Sequence, residues 1–164
     1  MTDTEKKLKI LFLYPNLNMS TLVPNAISIL SAVLKADGFK NVDLFDTTFY
    51  EAKKESKDED RVKAGQIQPF NFDERGIRLK QTDMFQDFIE KVDQFDPDVI
   101  FASIVEDTFP IFKEFMEPIK DREIPVLAGG VSLRQPLRLL QVWNASVLFA
   151  EAKVKGQFWI CPML

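Results

Sequence analysis

Apolar residues in this chain come in short runs, and the segments between the runs have helical spacing. Lys9 to Tyr14 (KILFLY) follows a charged lead-in and ends at Pro15, which predicts a first, central strand. Asn25 to Ala36 repeats its apolar residues at Ile27, Leu30, Val33 and Leu34, and Asp37-Gly38 closes a predicted helix there. Asn41 to Phe45 alternates polar and apolar residues, as suits a strand nearer an edge. A second helix is predicted over Thr82–Phe95, capped by Thr82 or Asp83, with Phe85, Phe88, Ile89, Val92 and Phe95 as its buried stripe. The stretch Pro97–Val131 then reads as strand, helix, strand. DVIFASIV and IPVLAGG are nearly unbroken apolar runs, expected to be covered on both faces, and Ile111, Phe112, Phe115, Met116 and Ile119 mark the helix between them. The sum is β-α-β-insertion-α-β-α-β, and right-handed crossovers make it a doubly wound parallel α/β sheet over residues 1–131.

Two regions depart from this pattern. Residues 51–81 hold a charge run (EAKKESKDEDR) and then a segment with few helical repeats. It reads as a solvated insertion or crossover, with Phe70 and Phe72 keeping open a substrate-facing or domain-contacting role. Residues 132–164 contain both tryptophans and the single cysteine but no aspartate. Glu151 stands alone against Arg134, Arg138, Lys153 and Lys155. A weak helical pattern runs to Phe149, and no fifth strand is evident, which would leave IPVLAGG as an open sheet edge. A single base lost at the codon for Ser132 fits this change of character. With permitted codons, SLRQPLRLL rereads as FATAAPEAA and EAKVKGQFWICPML as GEGEGAILDLSDA, which restores a helix start, a strand and a glycine-rich turn. The expectation is therefore an out-of-frame tail, against an ordinary amphipathic C-terminal helix.

Composition narrows the chemistry. At 46% apolar and 28% charged residues, the 164-residue chain is globular rather than disordered. A net charge of −4 and a pI near 5.0 argue against a nucleic-acid partner. No apolar run is long enough for a membrane span and the start does not resemble a signal peptide, so a cytoplasmic location is expected. The chain has no histidine, which removes Ser-His and Cys-His nucleophile pairs, histidine acids and histidine metal ligands. Cys161 alone forms neither a disulfide within the chain nor an all-cysteine metal site. No catalytic and no metal-ligating residue is assigned.

Ligands of doubly wound sheets bind beyond the carboxyl ends of the strands. Here those ends are Ser103-Ile104-Val105-Glu106-Asp107 and Gly129-Gly130-Val131. Glu106 and Asp107 form an acidic pair whose commoner role is to sit at a helix N-terminus, where the dipole favours them.

Residues 8–131 resemble the N-terminal cobalamin-binding domain of B12-dependent radical SAM enzymes. The resemblance rests on KILFLYPN, NAISILSAVLKADGF, VDLFDTTF, PDVIFASIVEDTF and IPVLAGGV. It implies a Rossmann-like (flavodoxin-like) sheet of the cobalamin-binding-domain type, with a corrinoid lying against the strand tips. Asn16, Leu17, Asn18 and Met19 would face the corrin, and Asp46 and Thr47 would contact its amide side chains. Ser103, Ile104 and Val105 look like the family's Ser-x-Leu element with Val for Leu. Gly129 and Gly130, followed by Val131, look like its Gly-Gly element, and Glu106 adjoins the same tips. A serine hydroxyl can hydrogen-bond the nucleotide tail, and glycines let a bulky ligand approach the backbone.

Two departures qualify the resemblance. The loop NLNMST has no cobalt-ligating histidine, as is common in the radical SAM branch. The three-cysteine motif for an iron–sulfur cluster is absent, so the resemblance implies a corrinoid-binding unit that is not catalytic alone. Its normal partner would be a radical SAM barrel, which lies outside this chain. Three other readings stand beside it. A receiver domain would want an aspartate where Ser-Ile-Val ends the third strand, and a flavin site would want a fuller phosphate loop than NLNMST. A truncated, non-functional fragment is the third.

Overall fold

The computed structural model describes residues 7–16, 24–51, 57–66, 68, 72–130, 147–153 and 157–160. The strands are β1 (Ile10–Tyr14), β2 (Val42–Asp46), β3 (Val99–Ser103), β4 (Val126–Gly129), β5 (Val147–Lys153) and β6 (Gln157–Ile160). They form one sheet in the order β2-β1-β3-β4-β5-β6. β1 to β5 are parallel and β6 is antiparallel to β5. This is an α/β Rossmann-like sheet, with β1 inside and β2 at an edge as the pattern predicts. The first β-α-β unit runs one way from β1 and the later units run the other way. The switch point therefore lies between the tips of β1 and β3.

The helices are α1 (Asn25–Ala36), α2 (Lys57–Lys63), α3 (Met84–Phe95) and α4 (Phe109–Met116). α3 starts where its cap dictates: the Asp83 carboxylate accepts the N–H groups of Phe85 and Gln86. α4 opens with Pro110 in its first turn and passes into a 3₁₀ segment, Glu117–Arg122.

α3 and α4 cover one face of the sheet. Leu11, Leu13, Phe45, Ile100, Ala102, Val126 and Ala128 point into that core against Phe88, Val92, Phe112 and Phe115. Phe88 and Phe115 meet edge to face with ring centroids 5.1 Å apart, and Phe45 packs on Phe88 at 5.2 Å. The other face carries Ile10 and Phe12 under Ile27 of α1 and Phe39, with Val99 and Phe101 only half-buried beside them. The expectation that β3 and β4 are covered on both faces is thus met on one face among the described residues. Their burial alternates along the strand instead of being continuous.

One further expectation, the missing fifth strand with the open edge it would leave, needs correction. A fifth strand exists: β5 pairs with β4 from Val126↔Val147 to Gly129↔Ala150, so IPVLAGG is not an edge. The apolar run Val147–Ala150 is extended through pairing with β4, and β6 pairs with the strand from Ala150 onward, a tertiary effect that outweighs the weak helical spacing before it. Within the insertion, Lys57–Lys63 at the end of the charge run forms a short helix, α2, although its sequence lacks an apolar stripe. Most of the remaining tail, including Cys161, lies outside the described residues, as does Phe70.

The insertion returns to the sheet at its own point of departure. Tyr50 and Lys80 form a parallel bridge, and the Tyr50 hydroxyl donates to Asp87 Oδ2 at 2.8 Å. Thr82 donates to the same oxygen at 2.7 Å. Burial, then the neighbouring Asp87 carboxylate, pushes the Tyr50 phenol well above its ordinary pKa. Tyr50 and Lys80 therefore close a stem just beyond the tip of β2.

Candidate functional site

The tips of β1 and β2 are joined by a polar circuit. Thr47 Oγ1 accepts the Asn16 N–H at 2.7 Å and donates to the Asn16 carbonyl at 2.8 Å. Asn16 Nδ2 donates to Thr48 Oγ1 at 2.9 Å, and Thr48 Oγ1 donates onward to Asp46 Oδ1 at 2.6 Å. The Thr48 N–H also donates to Asp46 Oδ1 at 2.8 Å. Asn16, Thr47 and Thr48 are all buried. An unmade hydrogen bond at such a site is costly, so the circuit favours one path for the chain leaving β1. Thr47 is 1% exposed, so its hydroxyl meets Asn16 rather than open space.

The tips of β3 and β4 are built differently. The Ile104 N–H donates to the Gly129 carbonyl at 2.8 Å and extends the ladder by one step. Ile104 itself is fully buried in the main core, so its side chain supports the site from below. Val105 turns outward and is 44% exposed. The turn after it is held by Thr108, whose hydroxyl accepts the Val105 N–H at 3.0 Å and whose own N–H donates to the Val105 carbonyl at 3.1 Å. Glu106 and Asp107 are exposed on this turn.

Ser103 and Gly129 are register partners on neighbouring strands. Strand alternation places them on the same face as Phe101 and Leu127, the face that α3 and α4 leave uncovered. Among the described residues the Ser103 hydroxyl has no hydrogen-bond partner. Gly130 serves a different purpose. A Cβ there would lie 1.6 Å from the Ile104 carbonyl oxygen, so the missing side chain admits the neighbouring main chain. The expectation that Gly130 clears space for a ligand is corrected on this ground.

The structure thus brings Asn16, Asp46, Thr47, Ser103, Ile104, Val105, Glu106, Gly129 and Gly130 to the carboxyl ends of four adjacent strands. Leu17, Asn18, Met19 and Val131 lie outside the described residues. Thr48 and Thr108 were not singled out from sequence. Thr48 stands two residues beyond the end of β2 and Thr108 five beyond the end of β3, each within two residues of an aspartate, a common setting for local side-chain to backbone bonding.

The chain matches no family model, no curated protein and no solved structure. Among the described residues no group of three or more His, Cys, Asp or Glu is placed to hold a metal ion, and no helix is long and apolar enough to cross a membrane. A separate depression lies between α3 and α4, floored by Phe85, Ile89 and Pro118 and rimmed by Asp83, Glu114 and Glu117. It is made of helix side chains and shares no residue with the strand tips.

Proposed function

We propose that the chain is a corrinoid-binding unit whose ligand lies at the carboxyl ends of β1, β3 and β4. The observation that carries this reading is the Ser103–Gly129 pair. Among the described residues, a hydroxyl without a protein partner sits beside a residue without a side chain, next to the switch point and on the less covered face. That combination suits the edge of a large, amide-bearing ligand: Ser103 supplies a hydrogen bond and Gly129 supplies room. Val105 adds an exposed apolar contact at the same tip. A bound corrinoid would supply cobalt-centred methyl or electron transfer. The chain would supply only binding and orientation, without a histidine for the metal. The fold is shared by many ligand classes, and the corrinoid reading adds to it the resemblance of residues 8–131.

The test is retention of colour. Purified protein mixed with hydroxocobalamin and desalted is expected to keep red absorbance at close to one equivalent. Ser103→Val is expected to weaken binding by about tenfold, the value of one hydrogen bond to a buried ligand group. Colour lost in the flow-through from the unaltered chain contradicts the proposal.

A second reading, an interaction domain, is favoured by α1. Its Ile29, Leu30 and Val33 are exposed at 64%, 46% and 61%. The out-of-frame origin of residues 132–164 stays a proposal about the gene. Codons there that cannot encode the restored text would contradict it.

A further inference from the structure

The depression between α3 and α4 has a chemistry of its own. Its floor is apolar: Phe85 and Ile89 of α3 are half-buried, and Pro118 lies in the 3₁₀ segment after α4. Its rim carries exposed carboxylates from three separate positions: Asp83 at the start of α3, Glu114 on α4 and Glu117 just beyond α4. Among the described residues that line it there is no lysine or arginine. We infer that this depression docks a basic segment of a partner protein, one that presents an arginine or lysine between apolar side chains. The inference is independent of the corrinoid reading, since the depression shares no residue with the strand tips.

Charge, floor and shape select that occupant together. Glu117 pairs with Lys120 within the chain, but these side chains are 61% and 48% exposed, so the pair holds little free energy and yields to a partner's cation. Asp83 is committed to capping α3, which leaves Glu114 and Glu117 to recognise the incoming charge. The stem of a lysine or arginine is aliphatic and rests on apolar surface while its head stays at the charges. Phe85 and Ile89, one helical turn apart, supply that surface. The depression holds about 630 Å³ but opens broadly to solvent. It does not enclose a small molecule as ligand pockets do, whereas a side chain delivered by a longer segment needs no enclosure. A second copy docked symmetrically through the same patch would set carboxylates against carboxylates.

The experiment titrates the isotope-labelled full chain with three capped hexapeptides, GLRRLG, GSRRSG and GLEELG, and with arginine amide, followed by NMR. GLRRLG is expected to shift the Gln86 and Ile89 amide signals saturably and to bind at least fivefold more tightly than the other three probes. Raising salt from about 0.01 to about 0.15 M is expected to weaken it at least threefold. Glu114→Gln and Glu117→Gln are each expected to weaken it about threefold, with the Leu11 signal in β1 unmoved. Lys120→Met removes the competing cation and is expected to tighten binding about twofold; it decides the matter if a glutamine variant disturbs Leu11. No shift with GLRRLG, equal binding of GSRRSG or GLEELG, or full affinity in both glutamine variants overturns the inference. Arginine amide binding as tightly as GLRRLG overturns it in favour of a small-cation site. An Ile89 signal that moves with the chain's own concentration overturns it in favour of a second copy.

Discussion

On one face of the sheet, α3 and α4 close over an aromatic core in which Phe88 and Phe115 are fully buried. On the other, α1 contributes one buried side chain, Ile27, and turns Ile29, Leu30 and Val33 outward. The outer sides of the two coverings differ in the same sense. α3 shows Gln86, Glu90, Asp93 and Gln94 to solvent, whereas α1 has no acid and, as its only base, Lys35. A helix that buries its apolar stripe fully can spend its remaining positions on charge. Among the described residues, α1 carries more apolar surface than the sheet beneath it takes up, and Ser103 and Gly129 lie on that same, less covered face. The contrast teaches where the molecule keeps its stability and where the proposed binding face lies.

The largest effect that separates the two faces is truncation of the core. Phe115→Ala is expected to cost about 3–5 kcal/mol in denaturant unfolding, by lost burial and the cavity left behind. Val33→Ser on α1 is expected to change stability by no more than about 0.5 kcal/mol. Equal losses would show that the second face is as tightly packed as the first.

The Ile104–Gly130 contact comes next. Gly130→Ala forces the β3 and β4 tips apart and is expected to cost about 1–3 kcal/mol, as overpacking does. Gly76→Ala has no atom in its way within 4 Å and strains only a left-handed residue, for about 1–2 kcal/mol. Thermal unfolding of the two variants checks the ranking. A Gly130→Ala chain as stable as the unaltered one would show that the tips separate freely.

The smallest effect is a titration at the edge strand. Burial raises the Asp43 pKa, but the Lys91 ammonium and the Leu44 N–H outweigh it and hold the carboxyl below its ordinary value. Stability from this pair is therefore present above the unfolded carboxylate pKa of about 3.9 and is lost as pH falls through the lower folded value. Both side chains are substantially exposed, so the gain is small. NMR titration of the Asp43 carboxyl is expected to show its midpoint rising in Lys91→Met. A midpoint that does not move would remove Lys91 as the cause.

Much of this architecture was legible in the sequence because local and tertiary preferences agree. DVIFAS and IPVLAG are too short and too apolar for surface helices, and Asp83 stands directly before a clean helical repeat, so β3, β4 and α3 were read within a residue or two. β5 was missed because VLFA carries no periodicity of its own, and its extended form comes from pairing with β4. The site was legible as a place and less so in its details. Strand ends follow from the pattern, but that both adjacent threonines reach Asn16, or that Gly130 admits the Ile104 carbonyl, depends on atoms far apart in sequence.

The most direct measurement is a residue-resolved NMR titration with hydroxocobalamin. The amide signals of Asn16, Ser103 and Gly129 are expected to shift saturably together, while those of Gln86 and Ile89 beside the α3–α4 depression stay in place. Shifts confined to α1 or to that depression, or none at all, would contradict a corrinoid at the strand tips.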